Sequence, residues 1–166
     1  MIVYRVVRHM VRELLDGPGR DGRWCSSGRK VMYTSSSVAL ACLENVVRRS
    51  GSGFSSDFQT IFYEIHDNIK IEEVPVKTLN ESWRLRNSFS YCQAIGNKWF
   101  DKKDSLVLKV PSAIIPGEFN FVIKATSPGI GRIQIKSNKP FIPDERIENI
   151  LRSVDIKKLK QSGAGK

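Results

Sequence analysis

The alternation of apolar and polar positions changes period several times along the chain, and each change marks an element. "IVYRVV" (2–7) is β-branched and aromatic around one arginine and predicts a strand, followed by a weaker helical stretch over 8–15. "DGPGRDG" then imposes a loop, because its glycines permit backbone angles that other residues avoid. "KVMYT" (30–34) predicts a short strand, and Ser35 to Ser37 offer a choice of N-cap for a helix over roughly 37–49. At helical spacing Val38, Ala39, Leu40, Cys42, Leu43, Val46 and Val47 fill a broad apolar arc, so that face is expected to be buried. Glu44 falls at its edge, beside Leu40.

"SGSGFSS" ends this helix, and "DFQTIFYEI" and "IKIEEVPV" read as two strands around the turn His66-Asp67-Asn68. Residues 81–103 predict a mixed, helical segment holding Trp83 and Trp99. "SLVLKV" (105–110), "NFVIKA" (120–125) and "RIQIKS" (132–137) predict three further strands. "PDERIENILRSV" predicts a closing helix, with Pro143 suited to its first position and Asp144 and Glu145 set favourably against the helix dipole. The sum is an α+β fold: one compact domain with a strand-rich core flanked by helices, over 1–154. The basic, glycine-containing tail 155–166 is expected to be disordered.

Composition narrows the partners. With 166 residues, one core suffices. Lys and Arg number 27 against 17 Asp and Glu, a formal charge of +10 that attracts nucleic acid, an anionic small molecule or an acidic protein. The basic residues are spread along the chain rather than gathered on one element, which weakens a nucleic-acid module as the explanation. Cys25, Cys42 and Cys92 are odd in number and lack zinc-ligand spacing, so no metal and no disulfide framework is expected. No stretch is apolar enough for a membrane span, and a cytoplasmic location is expected.

Four polar side chains invite a chemical reading, and each has an ordinary one as well. Arg23 beside Trp24 suits a cation–π pair, and Tyr33 suits a core aromatic with its hydroxyl at the rim. Glu44 and Arg48 stand at i, i+4, a pair worth about 0.2–0.5 kcal/mol. Ser112 suits a turn between Pro111 and Pro116. A serine–histidine triad would need His9 or His66, which turn or surface placement explains better.

Taken in succession, "GRW" (22–24), Gly28, "VMYTSSSVALACLENVV" (31–47), "GNKWF" (96–100), "VPSAIIPGEFNFVI" (110–123) and "NKPFIPDERI" (138–147) resemble the RES domain. This is the toxin half of bacterial toxin–antitoxin pairs whose antitoxin carries an Xre-type helix-turn-helix. The resemblance implies a fold similar to ADP-ribosyltransferase toxins and NAD+ as substrate. It also implies either cleavage of the nicotinamide–ribose bond, by hydrolysis or phosphorolysis, or transfer of ADP-ribose to a protein. It places catalytic roles on Arg23, Tyr33, Glu44 and Ser112, and pocket-lining roles on Arg5 and, at the helix start, Ser36. The implied partner is a helix-turn-helix antitoxin covering the cleft, with homodimerisation inside the complex, and any contact with nucleic acid made through that antitoxin. A binding module without enzymatic activity is the alternative of another class. Two positions depart from the family pattern: the chain reads "IKATSPGIGRI" from Ile123 where many members carry "NPxHP", and Cys25 stands where an asparagine is usual.

Overall fold

In a computed structural model, the residues described are 1–8, 15, 17, 19–50, 53–54, 57–102, 104–151 and 153. Most of the expected helical stretch over 8–15 and the whole tail 155–166 lie outside them.

Seven strands form one sheet: β1 (Ile2–Arg8), β2 (Val31–Ser35), β3 (Phe58–Ile65), β4 (Ile71–Glu73), β5 (Val107–Pro111), β6 (Phe119–Lys124) and β7 (Ile133–Pro140). Their order is β4-β5-β6-β2-β1-β3-β7, and every pairing but β4 with β5 is antiparallel. Helix α1 (Val38–Arg48) follows β2, and α2 (Phe89–Asp101) precedes β5. A last helical segment covers 145–151. No described helix is long and apolar enough to cross a membrane.

Among the described residues the expected strands and the helix after β2 form, with two differences of arrangement elsewhere. The strands on either side of the His66-Asp67-Asn68 turn do not pair with each other. Both edges of β3 are taken, by β1 and β7, so the chain crosses to the far side of the sheet and β4 pairs parallel with β5. The helical reading of 81–103 holds only from Phe89; residues 81–88 form turns and a short 3₁₀ helix, Arg86–Ser88.

Two clusters build most of the core. One joins Val3, Val7, Met32, Ile61, Tyr63, Ile65 and Ile123; the other packs Trp24, Cys25, Trp83, Cys92 and Trp99 against Leu108, Val110 and Val122. The second binds α2 and the loop before β2 to the sheet, and Gly96 makes the contact close. A Cβ there would lie 1.7 Å from the Trp24 carbonyl oxygen, so backbone meets backbone.

The phase of α1 overturns the expectation from its apolar arc. Ser37 caps the helix, accepting from the Leu40 amide at 3.1 Å. Its buried residues are Leu40, Ala41 and Asn45, while Leu43 is 40% and Val47 57% exposed. The inward strip packs Ala41 against Val6 and Phe58 in a third, small core cluster, and beside it Glu44 and Arg48 border a cavity. Asn45 fastens it, donating through Nδ2 to the Val6 carbonyl at 2.8 Å.

The two leucines of α1 test this phase. Leu40→Ala is expected to cost about 2–5 kcal/mol of stability and Leu43→Ala well under about 1 kcal/mol, measured by denaturant unfolding. Equal costs would restore the apolar arc as the packed face.

Candidate active site

β1 and β2 are central neighbours, yet they pair at one position only, Tyr4 with Ser35. Beyond it the strands separate, and Arg5 and Val6 on one and Val31 and Tyr33 on the other line a cavity of about 510 Å³, a volume suited to a small-molecule ligand. α1 supplies Glu44, Asn45 and Arg48 to its lining, the loop before β2 supplies Arg20 to Trp24, and the segment before α2 supplies Arg84, Arg86 and Phe89.

Glu44 is held by a fixed set of donors. Its Oε1 accepts from Asn120 Nδ2 at 2.5 Å and from Ser112 Oγ at 3.2 Å. Both donors are themselves locked. Asn120 Oδ1 accepts from Ser35 Oγ at 2.7 Å, and Ser112 Oγ accepts from the Ile114 and Ile115 amides, each at 3.1 Å. Ser112 is 1% exposed and is absent from the cavity lining, so it acts on Glu44 from behind. Among the described residues no ion pair joins Glu44 to Arg48, which removes the surface helix pair as the ordinary explanation of this carboxylate. The sequence singles out Ser35 only as a possible N-cap and does not single out Asn120, whose one signal is a polar residue near the start of the apolar strand "FNFVIK".

Tyr33 and Arg23 enter the cavity, but their polar ends are already engaged. The Tyr33 hydroxyl accepts from the amides of Trp24 at 3.3 Å and Cys25 at 3.1 Å, so it anchors the loop. Gly22 makes room for that ring: a Cβ there would stand 2.7 Å from the hydroxyl oxygen. Arg23 donates through Nη1 to the carbonyls of Trp83 at 2.6 Å and Leu85 at 3.2 Å, and through Nη2 to that of Arg84 at 3.0 Å. Its guanidinium also lies 4.6 Å from the centre of the Phe89 ring. Ser36 donates to Glu118 at 2.6 Å and does not line the cavity.

α2 secures the same loop from the other side. Gln93 Nε2 donates to the Gly22 carbonyl at 2.8 Å and to Asp21 at 3.0 Å, Asn97 bonds the Ser26 amide and hydroxyl, and Arg29 pairs with Asp101 at 2.9 Å. The cavity itself is strongly cationic. Arg5, Arg20, Arg23, Arg48, Arg84 and Arg86 line it against two carboxylates, Asp21 and Glu44. Asp21 is turned to Gln93 and the Ser27 amide. Desolvation, then Arg5, Arg20 and Arg49, lower the pKa of Arg48, which shows guanidinium groups held near one another. Arg5 lies beside the buried Tyr63 ring, and its Nη1 is buried without a hydrogen-bond partner.

Two outcomes check this packing. Gly96→Ala should destabilise the protein by at least about 1–3 kcal/mol in denaturant unfolding, since the loop backbone must retreat; a neutral substitution would mean that the loop is not clamped. The second concerns pH. Burial pushes the Cys25 thiol up from its usual 9.0 to about 11, and burial raises the Tyr33 phenol too, beyond its usual 10.0. Both shifts have the same sign. The unfolded chain releases these protons first, so their contribution is complete below about pH 9 and falls as pH rises toward 11. The melting temperature of Cys25→Ala should therefore decline less steeply over that window than that of the parent; parallel declines would sink the assignment.

The sequence profile of the RES domain matches residues 2–145. A protein of Photorhabdus laumondii named Toxin Res is 34% identical over 127 residues, 74% of this chain and 81% of that protein. A Sphingobium protein named Prs ADP-ribosylating toxin is 28% identical over 128 residues, 76% of this chain and 80% of its own length. The fold is similar to that of a chain in the crystal structure of the Mycobacterium tuberculosis MbcT-MbcA toxin-antitoxin complex, with a TM-score of 0.65 and 22% identity, covering 92% of this chain and 88% of that one. With the profile spanning nearly all of the described fold and a relative above the threshold of chance resemblance, the chain belongs to the RES domain family.

Proposed function

We propose that this protein is the toxin of a toxin–antitoxin pair and that it acts on NAD+ in the cytoplasm, cleaving the nicotinamide–ribose bond. One observation carries the reading: a carboxylate fixed by two donors, Glu44, shares a cavity with six arginines, whose one other carboxylate, Asp21, is turned to Gln93 and the Ser27 amide. The two features match the two ends of the chemistry. The arginines suit a pyrophosphate, which guanidinium groups bind in a fork geometry, and Arg5 has a donor to spare. Glu44 suits the ribose.

Breaking the bond between the anomeric carbon and the pyridinium nitrogen sends the bonding pair to nicotinamide and leaves an oxocarbenium-like sugar. A carboxylate beside it holds a ribose hydroxyl and opposes the developing positive charge, as in glycoside hydrolysis. Because Asn120 and Ser112 both bind Oε1, the carboxylate is preorganised and does not reorient as charge develops. The Tyr33 ring forms the adjoining wall. A nucleophilic oxygen of water or phosphate then bonds to the anomeric carbon and loses its proton, giving ADP-ribose or its 1-phosphate.

Transfer to a protein side chain uses the same cleft, and the name of the Sphingobium relative favours it as the second reading. An antitoxin of the helix-turn-helix class is the proposed partner, in keeping with the toxin-antitoxin complex that shares the fold.

NAD+ consumption by the purified chain, with and without phosphate and with products resolved, separates these acceptors. Glu44→Gln is expected to lower turnover by about 100-fold or more while leaving the melting curve unchanged. Near-normal turnover by that variant would remove Glu44 from the chemistry. A chain that consumed no NAD+ but bound nucleic acid with a steep salt dependence would point to the non-enzymatic alternative.

A further inference from the structure

The pyrophosphate and ribose assignments leave one wall of the cavity unexplained. Residues 81–88 form no strand and no α-helix, so their carbonyls lack the partners that regular structure supplies. Arg23 supplies most of them: it donates to three successive carbonyls, those of Trp83, Arg84 and Leu85, of which the first also accepts from the Cys92 thiol and the last from the Ser88 amide. Its guanidinium meanwhile backs one face of the Phe89 ring at 4.6 Å. Trp83, 4% exposed and packed with Trp24 in the core, fixes one end of this segment, and α2, which begins at Phe89, fixes the other. The wall thus presents an aromatic ring, Phe89, together with Arg84 and Arg86, neither of which is in an ion pair among the described residues.

We propose that the segment Trp83–Phe89 is the adenosine-recognition wall of the cavity, with adenine stacked on Phe89, Arg84 and Arg86 flanking the adenosine ribose and phosphate, and Arg23 acting as the positioning residue. The proposal rests on the reading of the cavity as an NAD+ site. Electrostatics decides which end of the dinucleotide lies here. The nicotinamide ring of NAD+ is a cation, and a ring already backed by one guanidinium and flanked by two more repels it. Adenine is neutral and stacks on such a ring without that penalty. The pyridinium is drawn instead toward Glu44 on α1, since the cavity's other carboxylate, Asp21, already accepts from Gln93 and the Ser27 amide. Arg23 on this account serves recognition without touching the ligand, since it shapes the surface that does.

ADP and nicotinamide mononucleotide, titrated into the full chain by calorimetry, carry one end of the dinucleotide each. ADP is expected to bind and to slow amide exchange over residues 84–90. Phe89→Ala should weaken ADP about 10-fold and raise the KM for NAD+ more than it lowers kcat, with Phe89→Trp restoring both. Arg23→Ala should weaken ADP and quicken amide exchange at 84–86 in the unliganded chain, which a bystander would not do. The proposal is overturned if Phe89→Ala weakens nicotinamide mononucleotide and spares ADP, or if ADP protects only residues outside this segment. NAD+ turnover with a KM unaltered by Phe89→Ala would sink the adenosine wall alone, whereas no turnover and no ADP binding by the parent would sink the NAD+ reading with it.

Discussion

The structure turns on the separation of two central strands. A sheet gains most by pairing its neighbours along their full length, yet β1 and β2 meet at Tyr4–Ser35 and then part. Each strand is held instead by its outer neighbour: β1 runs along β3 for seven residue pairs and β2 along β6 for five. The parting opens the cavity in the middle of the sheet, where strands are most rigid, and it leaves side chains on both strands facing one space. Everything placed around the gap answers to it. α1 bridges it through Asn45 to Val6, Glu44 leans across to Asn120 and Ser112, and the loop before β2 closes over Tyr33.

Around that gap, the polar groups divide into holders and presenters. Tyr33, Arg23, Ser112, Asn120 and Gln93 spend their hydrogen bonds inside the protein. Arg5, Arg48 and Arg84 are presented to the cavity, and Glu44 keeps one oxygen bound while its side chain lines the wall. Such an arrangement is costly to the fold alone. Guanidinium groups brought together repel, burial and then Arg5, Arg20 and Arg49 lower the pKa of Arg48, and a buried Nη1 on Arg5 goes without a partner. Local strain of this kind is tolerated where a ligand relieves it, and the clamp of α2 on the loop supplies the rigidity that keeps it in place.

The inward phase of α1 follows from the same logic. A helix over a closed sheet would bury its whole apolar arc; α1, beside an open cleft, buries only the strip Leu40, Ala41 and Asn45, next to the cavity-lining Glu44. Leu43 and Val47 are exposed as a consequence, and Val47 reaches the cavity rim.

How much of this was legible in the chain differs from element to element. Local patterning determined the strands β1, β2, β5 and β6, the serine-capped start of α1 and the α+β class, because propensity and period act over neighbouring residues. The order of motifs from "GRW" to "NKPFIPDERI" determined the family, and it brought Arg5, Arg23, Tyr33 and Glu44 onto one list before any contact was known. Tertiary structure alone decided that β4 crosses the sheet, that α1 buries only the strip Leu40, Ala41 and Asn45 of its surface, and that Asn120, Ser35, Arg84, Arg86 and Phe89 adjoin the candidate site. It also decided that the Tyr33 hydroxyl and the Arg23 guanidinium are structural at their polar ends. The reason is physical: sequence spacing fixes what a side chain can do within its own turn or strand, whereas its partners come from segments tens of residues away, brought close only when the sheet assembles.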